Sequence, residues 1–287
     1  MNCSSLVGMG LLLVSGSFTT VALTGCGSST AQTEGAQTRE AKHQPKTSPD
    51  DSSGGSGKGM AAIKQAAGAG KYLFVFFSKT EDDQTLAMRK VFGKAMEKVA
   101  DRAQSVAVNI TDASEKAVVD KYDLTRAPMP LVLAIAPNGA IMGGFPTKFE
   151  EQQLLDAFAT PGSEKMVKSL QDGKMVFVCV QNDKTKSNDA AMQGIRDFKA
   201  DGRFASATEV VTLDPRDKKE AVFLVDLKVS PDIAEATTVF VVPPGKAIGR
   251  FEGATNKEAL VELITKASSG CCCGPGGCCS KKQDQHE

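Results

Sequence analysis

The feature that most restricts the fold is a pattern written twice. Gly70-Lys71 opens an apolar run at 72–77, and Gly173-Lys174 opens another at 175–180, the two Gly-Lys pairs standing 103 residues apart. Each run is an unbroken series of β-formers, the signature of a strand covered on both faces. Downstream, the turn glycines Gly139 and Gly245 repeat at a spacing of 106 residues. A period of this size is a duplicated domain rather than a short solenoid repeat.

Between these markers the two repeats read alike. The first predicts a helix over 60–67, a strand over 72–77, a helix over 86–99, a strand over 104–110 and a helix over 113–122. A strand over 131–136, an Asn138-Gly139 turn, a strand over 140–145 and a helix over 149–158 follow. The second predicts helices over 164–171, 190–199, 218–227 and 257–267, and strands over 175–180, 207–213, 237–242 and 247–251. Asn-Gly supplies the positive φ that a hairpin turn needs. The expected class is α/β: two tandem domains, each a central mixed sheet flanked by helices. The parallel part requires a right-handed crossover, and the hairpin makes the sheet mixed.

The strand at 131–136 is preceded by Arg126-Ala127-Pro128-Met129-Pro130 and followed by the Asn-Gly hairpin and the Gly144-Phe145 pair. Over about residues 60–160 this arrangement resembles the thioredoxin fold, and residues 164–269 resemble it more weakly. The resemblance implies that Pro130 is cis and faces the loop after the first strand. In the second repeat Ala236 occupies that place. The family carries Cys-x-x-Cys at the helix N-terminus after the first central strand, where a lowered pKa makes the first thiol a nucleophile. Here Asp82-Asp83-Gln84-Thr85 falls on that position, and 181–188 in the second repeat also lacks cysteine. Thiol–disulfide exchange by the usual site is therefore excluded, because no sulfur is present to attack. The resemblance further implies a groove at Asp82, Thr85, Met129 and Pro130 that could take a peptide or protein partner. Glu81, Asp82 and Asp83 could bind a hard cation or share a proton. Helix capping within a solvated loop is the plainer reading, with Lys79 pairing loosely beside them. Cys179, inside a strand run, reads as a small buried apolar residue.

Outside the repeats the chain changes character. Residues 6–23 are apolar and rich in small residues, and they end in Leu23-Thr24-Gly25-Cys26. This reads as an export signal over 1–25. Its ending resembles the bacterial lipobox, which implies acylation of Cys26 and cleavage just before it. Acyl chains would then anchor the protein to a bacterial membrane. Gly27, where an Asp would imply inner-membrane retention, points to the outer membrane, with the domains in the periplasm or outside. Residues 26–58 are Gly-, Ser-, Thr-, Gln- and Pro-rich and predict a disordered tether. Domains are expected at 59–161 and 162–269, with a flexible cysteine-rich tail at 270–287.

The chain has 8 cysteines, and 5 of them, Cys271, Cys272, Cys273, Cys278 and Cys279, lie in that tail. Soft thiolates suit Cu(I) or Zn(II) and can wrap an ion without a preformed fold. Disulfides in an oxidising compartment, and a tail with no specific role, are the competing readings. The function expected is a membrane-anchored, non-catalytic binding or structural module. The alternatives are an oxidoreductase using the tail cysteines, or a Cu(I)/Zn(II) carrier. With 34 basic and 34 acidic residues the net charge is zero, which gives no footprint for nucleic acid. Only His43 and His286 are present, both in polar tails, so a multi-His zinc site in a folded core is excluded.

Overall fold

The computed structural model describes residues 57–269. Cys26 and the tail cysteines lie outside them. The first half runs α1 (Lys58–Gly68), β1 (Tyr72–Ser78), α2 (Asp83–Lys98), β2 (Ala103–Asn109), α3 (Lys116–Lys121), β3 (Leu131–Ile135), β4 (Ile141–Pro146) and α4 (Glu151–Leu155). The second half runs α5 (Pro161–Gln171), β5 (Met175–Val180), α6 (Asn188–Ala200), β6 (Thr208–Leu213), α7 (Ala221–Asp226), β7 (Thr237–Val242), β8 (Lys246–Glu252) and α8 (Lys257–Ser269).

The duplicated pattern becomes duplicated topology. The sheets have the orders β2-β1-β3-β4 and β6-β5-β7-β8. In each, the first strand of the half pairs parallel with the second and antiparallel with the third, and the third and fourth form an antiparallel hairpin. These are two tandem thioredoxin-like units, as the sequence pattern led one to expect. The Met129–Pro130 bond is cis. In the second half the cis bond lies elsewhere, at Pro243–Pro244 in the β7–β8 turn.

The apolar runs are continuous because both sheet faces are covered. Tyr72, Phe74 and Phe76 point into a core with Phe92, Ala95 and Leu154, under α2 and α4. Leu73, Val75 and Phe77 point the other way, against Ala66, Val118 and Val119 of α1 and α3. In the second half Val176, Val178 and Val180 meet Leu170, Phe223 and Leu224, while Phe177 and Cys179 meet Ile195, Phe198 and Leu260. Each fully buried large side chain contributes roughly 1.5–3 kcal/mol.

Two expected helices are shortened at their starts. The turns Ala113–Glu115 and Lys218–Glu220 are 3-10, and α3 and α7 begin after them. Asp112 and Asp217 cap these turns by accepting from the N–H groups two residues on, which tightens the chain locally. The helix expected over 149–158 closes at Leu155. Thr160 must already cap α5, with Pro161 at its first position, so the chain leaves the earlier helix early.

Helix α5 ties the halves together. Met166 and Leu170 pack on the second core, whereas Val167 packs on the first. The Gln171 side chain both accepts from the Ile141 N–H and donates to the Ile141 carbonyl. Asn138 in the β3–β4 turn donates to the Glu164 carbonyl, and the Tyr72 hydroxyl donates to Glu164 Oε1 at 2.5 Å. No helix among the described residues is long and apolar enough to cross a membrane.

Candidate functional site

The loop between β1 and α2 ends at a capped helix. Asp82 is the N-cap of α2, and its Oδ1 accepts from the Thr85 N–H at 2.8 Å. Its Oδ2 accepts from the Thr80 hydroxyl at 2.8 Å. These bonds, the Thr85 N–H first, hold the Asp82 carboxyl below its ordinary range. Thr85 is buried behind the cap. Glu81 is taken up by Arg89, one of whose terminal nitrogens lies 2.5 Å away, and the Arg89 guanidinium sits over the Phe76 ring. Lys79, expected to pair with these carboxylates, makes no ion pair among the described residues. The exposed loop leaves its flexible chain in water, while Arg89 already neutralises Glu81.

Strand register carries the second part of the groove to the same end of the sheet. Phe77 lies opposite Leu131 in the β1–β3 ladder, so the cis-proline Pro130 falls opposite Ser78. The Pro130 carbonyl accepts from the Thr147 N–H at 2.6 Å, and the Thr147 carbonyl accepts from the Gln84 side chain at 3.1 Å. Asp82, Thr85 and Pro130 are thus held around one loop end by a chain of bonds through Gln84 and Thr147. Met129 is half-buried, and its own N–H and C=O have no hydrogen-bond partner among the described residues.

The matching place in the second half is built differently. Val180 lies opposite Thr237, so Ala236 occupies the position of Pro130. Here the loop after β5 folds back. Lys186 N–H donates to the Ala234 carbonyl, and the Ala236 N–H donates to the Lys186 carbonyl, both at 2.9 Å. Lys186 and Glu235 thereby form a parallel β-bridge. The loop is fixed in this position by Asn182, whose Oδ1 accepts from Lys184 and Thr185 N–H and whose Nδ2 donates to Asp214. Buried Thr185 adds a bond from its hydroxyl to Asn188 Oδ1 at 2.7 Å. The chain itself thus covers this backbone at Ala234 and Ala236, whereas the matching Pro128 carbonyl has no partner among the described residues and Pro130 has no N–H.

A polar cleft of about 180 Å³ adjoins the first site, at the carboxyl ends of β1 and β2, lined by Lys58, Ser78, Glu81, Arg89, Asp112 and Glu115 among others. Glu115 is its least exposed charged member and was not singled out from sequence. Its Oε2 accepts from the Gly59 N–H at 3.0 Å, capping α1 from within the core. Glu220 does the same for α5, with Oε1 accepting from the Gly162 N–H at 2.8 Å. Both helices need glycine there, since a Cβ at Gly59 or Gly162 would come within 3.0 Å of the capping carboxylate. The available signal was the pair of Asp-x-x-Glu runs, 112–115 and 217–220, at the same phase of the duplication.

Chemically, the described residues hold one thiol. Cys179 is buried in β5, and burial pushes its pKa up to about 12, against a smaller effect from a hydrogen bond with Thr238. At neutral pH it is a neutral core residue and no nucleophile. No cluster of three or more metal-ligating side chains occurs among the described residues. The calls on Cys26 and on Cys271, Cys272, Cys273, Cys278 and Cys279 fall outside them.

No family model and no curated relative matches the sequence. Among solved structures the chain is similar to the thioredoxin Deadhead of Drosophila melanogaster, with 14% identity over 34% of this chain and 88% of that one and a TM-score of 0.28. It is similar to a disulphide isomerase from Xylella fastidiosa, with 14% identity over 37% and 90% of the two chains and a TM-score of 0.29. Across 71% of its length it is similar to the first two thioredoxin domains of Saccharomyces cerevisiae Eps1p, covering 94% of that chain with 9% identity and a TM-score of 0.26.

Proposed function

We propose that this is an exported, lipid-anchored protein whose first unit binds an extended polypeptide segment and whose units perform no thiol chemistry at their helix N-termini. One contrast supports the reading above all. In the second unit the loop after β5 covers this backbone, with Lys186 pairing to the Ala234 carbonyl and the Ala236 N–H, whereas in the first the matching Pro128 carbonyl has no partner among the described residues, Pro130 has no N–H, and no loop lies against Met129 between them. An extended segment would pair with the open Met129 N–H and C=O, with main-chain bonds giving affinity and Asp82 and Met129 contributing the side-chain contacts. Binding peptides are selected from a displayed random library on the full chain. The selected peptides should protect the Met129 amide from hydrogen exchange and leave Ala236 unchanged. Peptides that leave Met129 unprotected would sink the reading.

The anchor is Cys26, with the outer membrane as the favoured destination and the domains facing the periplasm or exterior. The intact mass of the membrane fraction should show acylated Cys26, and a Cys26→Ala chain should remain unmatured. A cleaved, unmodified chain refutes the anchor. Because Cys179 is inert, any thiol or soft-metal chemistry falls to Cys271, Cys272, Cys273, Cys278 and Cys279. Replacing those five by Ser separates the alternatives. Insulin reduction that disappears with them supports the oxidoreductase reading, and loss of Cu(I) or Zn(II) uptake supports the carrier.

A further inference from the structure

Strand β2 is an edge of the first sheet. Its sequence, Ala103-Gln104-Ser105-Val106-Ala107-Val108-Asn109, contains no charge and no proline. Edge strands are normally protected by such residues. The second unit follows that practice: Glu209 lies in β6, and Lys246, Arg250 and Glu252 lie in β8.

The hydrogen bonds of the parallel ladder show which groups the β2 edge leaves over. Tyr72 N–H donates to the Arg102 carbonyl and Ile110 N–H to the Ser78 carbonyl, so even-numbered residues of this stretch bond to β1. In a parallel pair the alternate residues point their N–H and C=O away from that partner. Those residues are Ala103, Ser105, Ala107 and Asn109. Two of their eight groups are already used locally, since Ala103 N–H donates to the Val99 carbonyl and the Asn109 carbonyl accepts from Asp112 N–H. Six remain: the Ala103 carbonyl, both groups of Ser105, both groups of Ala107, and the Asn109 N–H.

We infer that this edge pairs with the same edge of a second copy, antiparallel about a two-fold axis at Val106. In that register Ser105 faces Ala107 of the other copy, and Ala103 faces Asn109. Ser105 and Ala107 exchange both bonds, and each Ala103 carbonyl accepts from the opposite Asn109 N–H. The two groups that would be superfluous in this register are the two already bound within the chain. Shifting the axis by one residue leaves either the Asn109 N–H or the Ala103 carbonyl without a partner. A two-fold interface demands this kind of self-complementarity, and the register also places no like charges opposite one another. Ser105 and Ala107 are exposed, and a shallow trough beside the edge, lined by Ala61, Ala62, Gln65, Gln104 and Val106, leaves room for the approach. The chain's own preceding residues 48–56 are Ser, Pro, Asp and Gly, which strands disfavour, so a second copy is the better occupant.

The full chain in detergent and reducing agent, followed by sedimentation velocity, tests the pairing. The expected mass is twice that of the denatured chain. Ala107→Pro removes an outward N–H and leaves the β1 ladder intact, and Ala107→Lys places a charge on the edge. Each should weaken dimerisation at least tenfold with an unchanged far-UV spectrum, and the Lys variant stands in if the Pro variant fails to fold. Val106→Cys should form a disulfide with its own counterpart on oxidation, identified by peptide mapping, because residues at the axis approach within disulfide reach. A monomer at about 50 µM, a concentration that detects micromolar affinity, overturns the inference. So does a dimer that both position-107 variants leave intact and that the Val106→Cys substitution does not cross-link.

Discussion

The two halves share a strand order and a pair of buried capping glutamates, yet they finish the same place in opposite ways. In the first, before β3, the Pro128 carbonyl has no partner among the described residues and Pro130 has no N–H. In the second, Lys186 pairs with the backbone at Ala234 and Ala236 and closes the edge. The fold tolerates both because the sheet core does not depend on this end. What differs is a loop: Asn182, Thr185 and Asn188 fold the second one inward, whereas Asp82 turns the first into a helix cap facing water. The two halves thus share a scaffold and differ in the loop laid against it.

The largest test of this separation strikes one core alone. Phe177 stacks on Phe240 at 4.2 Å and meets Phe198 edge-on at 5.3 Å. Phe177→Ala should destabilise the second half by about 3–5 kcal/mol. Both tyrosines, Tyr72 and Tyr122, lie in the first half and there is no Trp, so tyrosine fluorescence reports that half separately. Because α5 lends Val167 and the Glu164–Tyr72 bond to the first half, its tyrosine transition should move as well, by roughly 1–2 kcal/mol. A tyrosine transition that does not move would mean that α5 is no strut.

The glutamate caps come next. Glu115→Ala and Glu220→Ala should each cost about 1.5–3 kcal/mol, the range for a hydrogen bond to a charged group in a buried setting. Denaturant unfolding should place the first loss in the tyrosine signal and the second mainly in circular dichroism. Equal losses in one signal would contradict the parallel roles.

Much of this architecture was legible in the sequence because it was written twice. The strand runs, the Asn-Gly turn and the proline before β3 each carry a local physical signal, and all fell where expected. The caps were not seen because each pairs a glutamate with a glycine more than fifty residues away. A lone Glu115 looks like any surface carboxylate until its repeat at Glu220 is aligned with it. The closed edge at Lys186 was hidden for another reason. Backbone pairing carries no side-chain signature, and a loop of Asn, Asp, Lys, Thr and Ser reads as solvated whether or not it folds back.

Lys186→Pro bears directly on that closed edge. It deletes the donor to the Ala234 carbonyl and should cost about 0.5–1.5 kcal/mol. Hydrogen exchange at Ala236 should accelerate and exchange at Met129 should stay constant. Unchanged protection at Ala236 would show that the bridge does not close the second site.

The smallest effects are titrations, and two carboxyls, one in each half, should answer pH with opposite signs. Asp82, capping α2 in the first half, has its carboxyl lowered by the Thr85 N–H and then the Thr80 hydroxyl. Its contribution is present above the ordinary Asp range and is lost as pH falls through the lowered folded value. Glu164, on α5, has its carboxyl raised, by burial first and then by the charge of Glu220, against the opposing bond from Tyr72. Its contribution is complete below the ordinary Glu range and is lost as pH rises through the raised folded value. Asp82→Asn should therefore flatten the acid limb of the melting temperature against pH, with little change at neutrality. Glu164→Gln should raise the melting temperature at pH 7 and flatten the decline above the ordinary Glu range, because the amide removes a carboxylate that is costly to ionise there. A Glu164→Gln chain that melts lower at pH 7 would show that the ionised carboxylate, accepting from Tyr72, holds α5 against the first half.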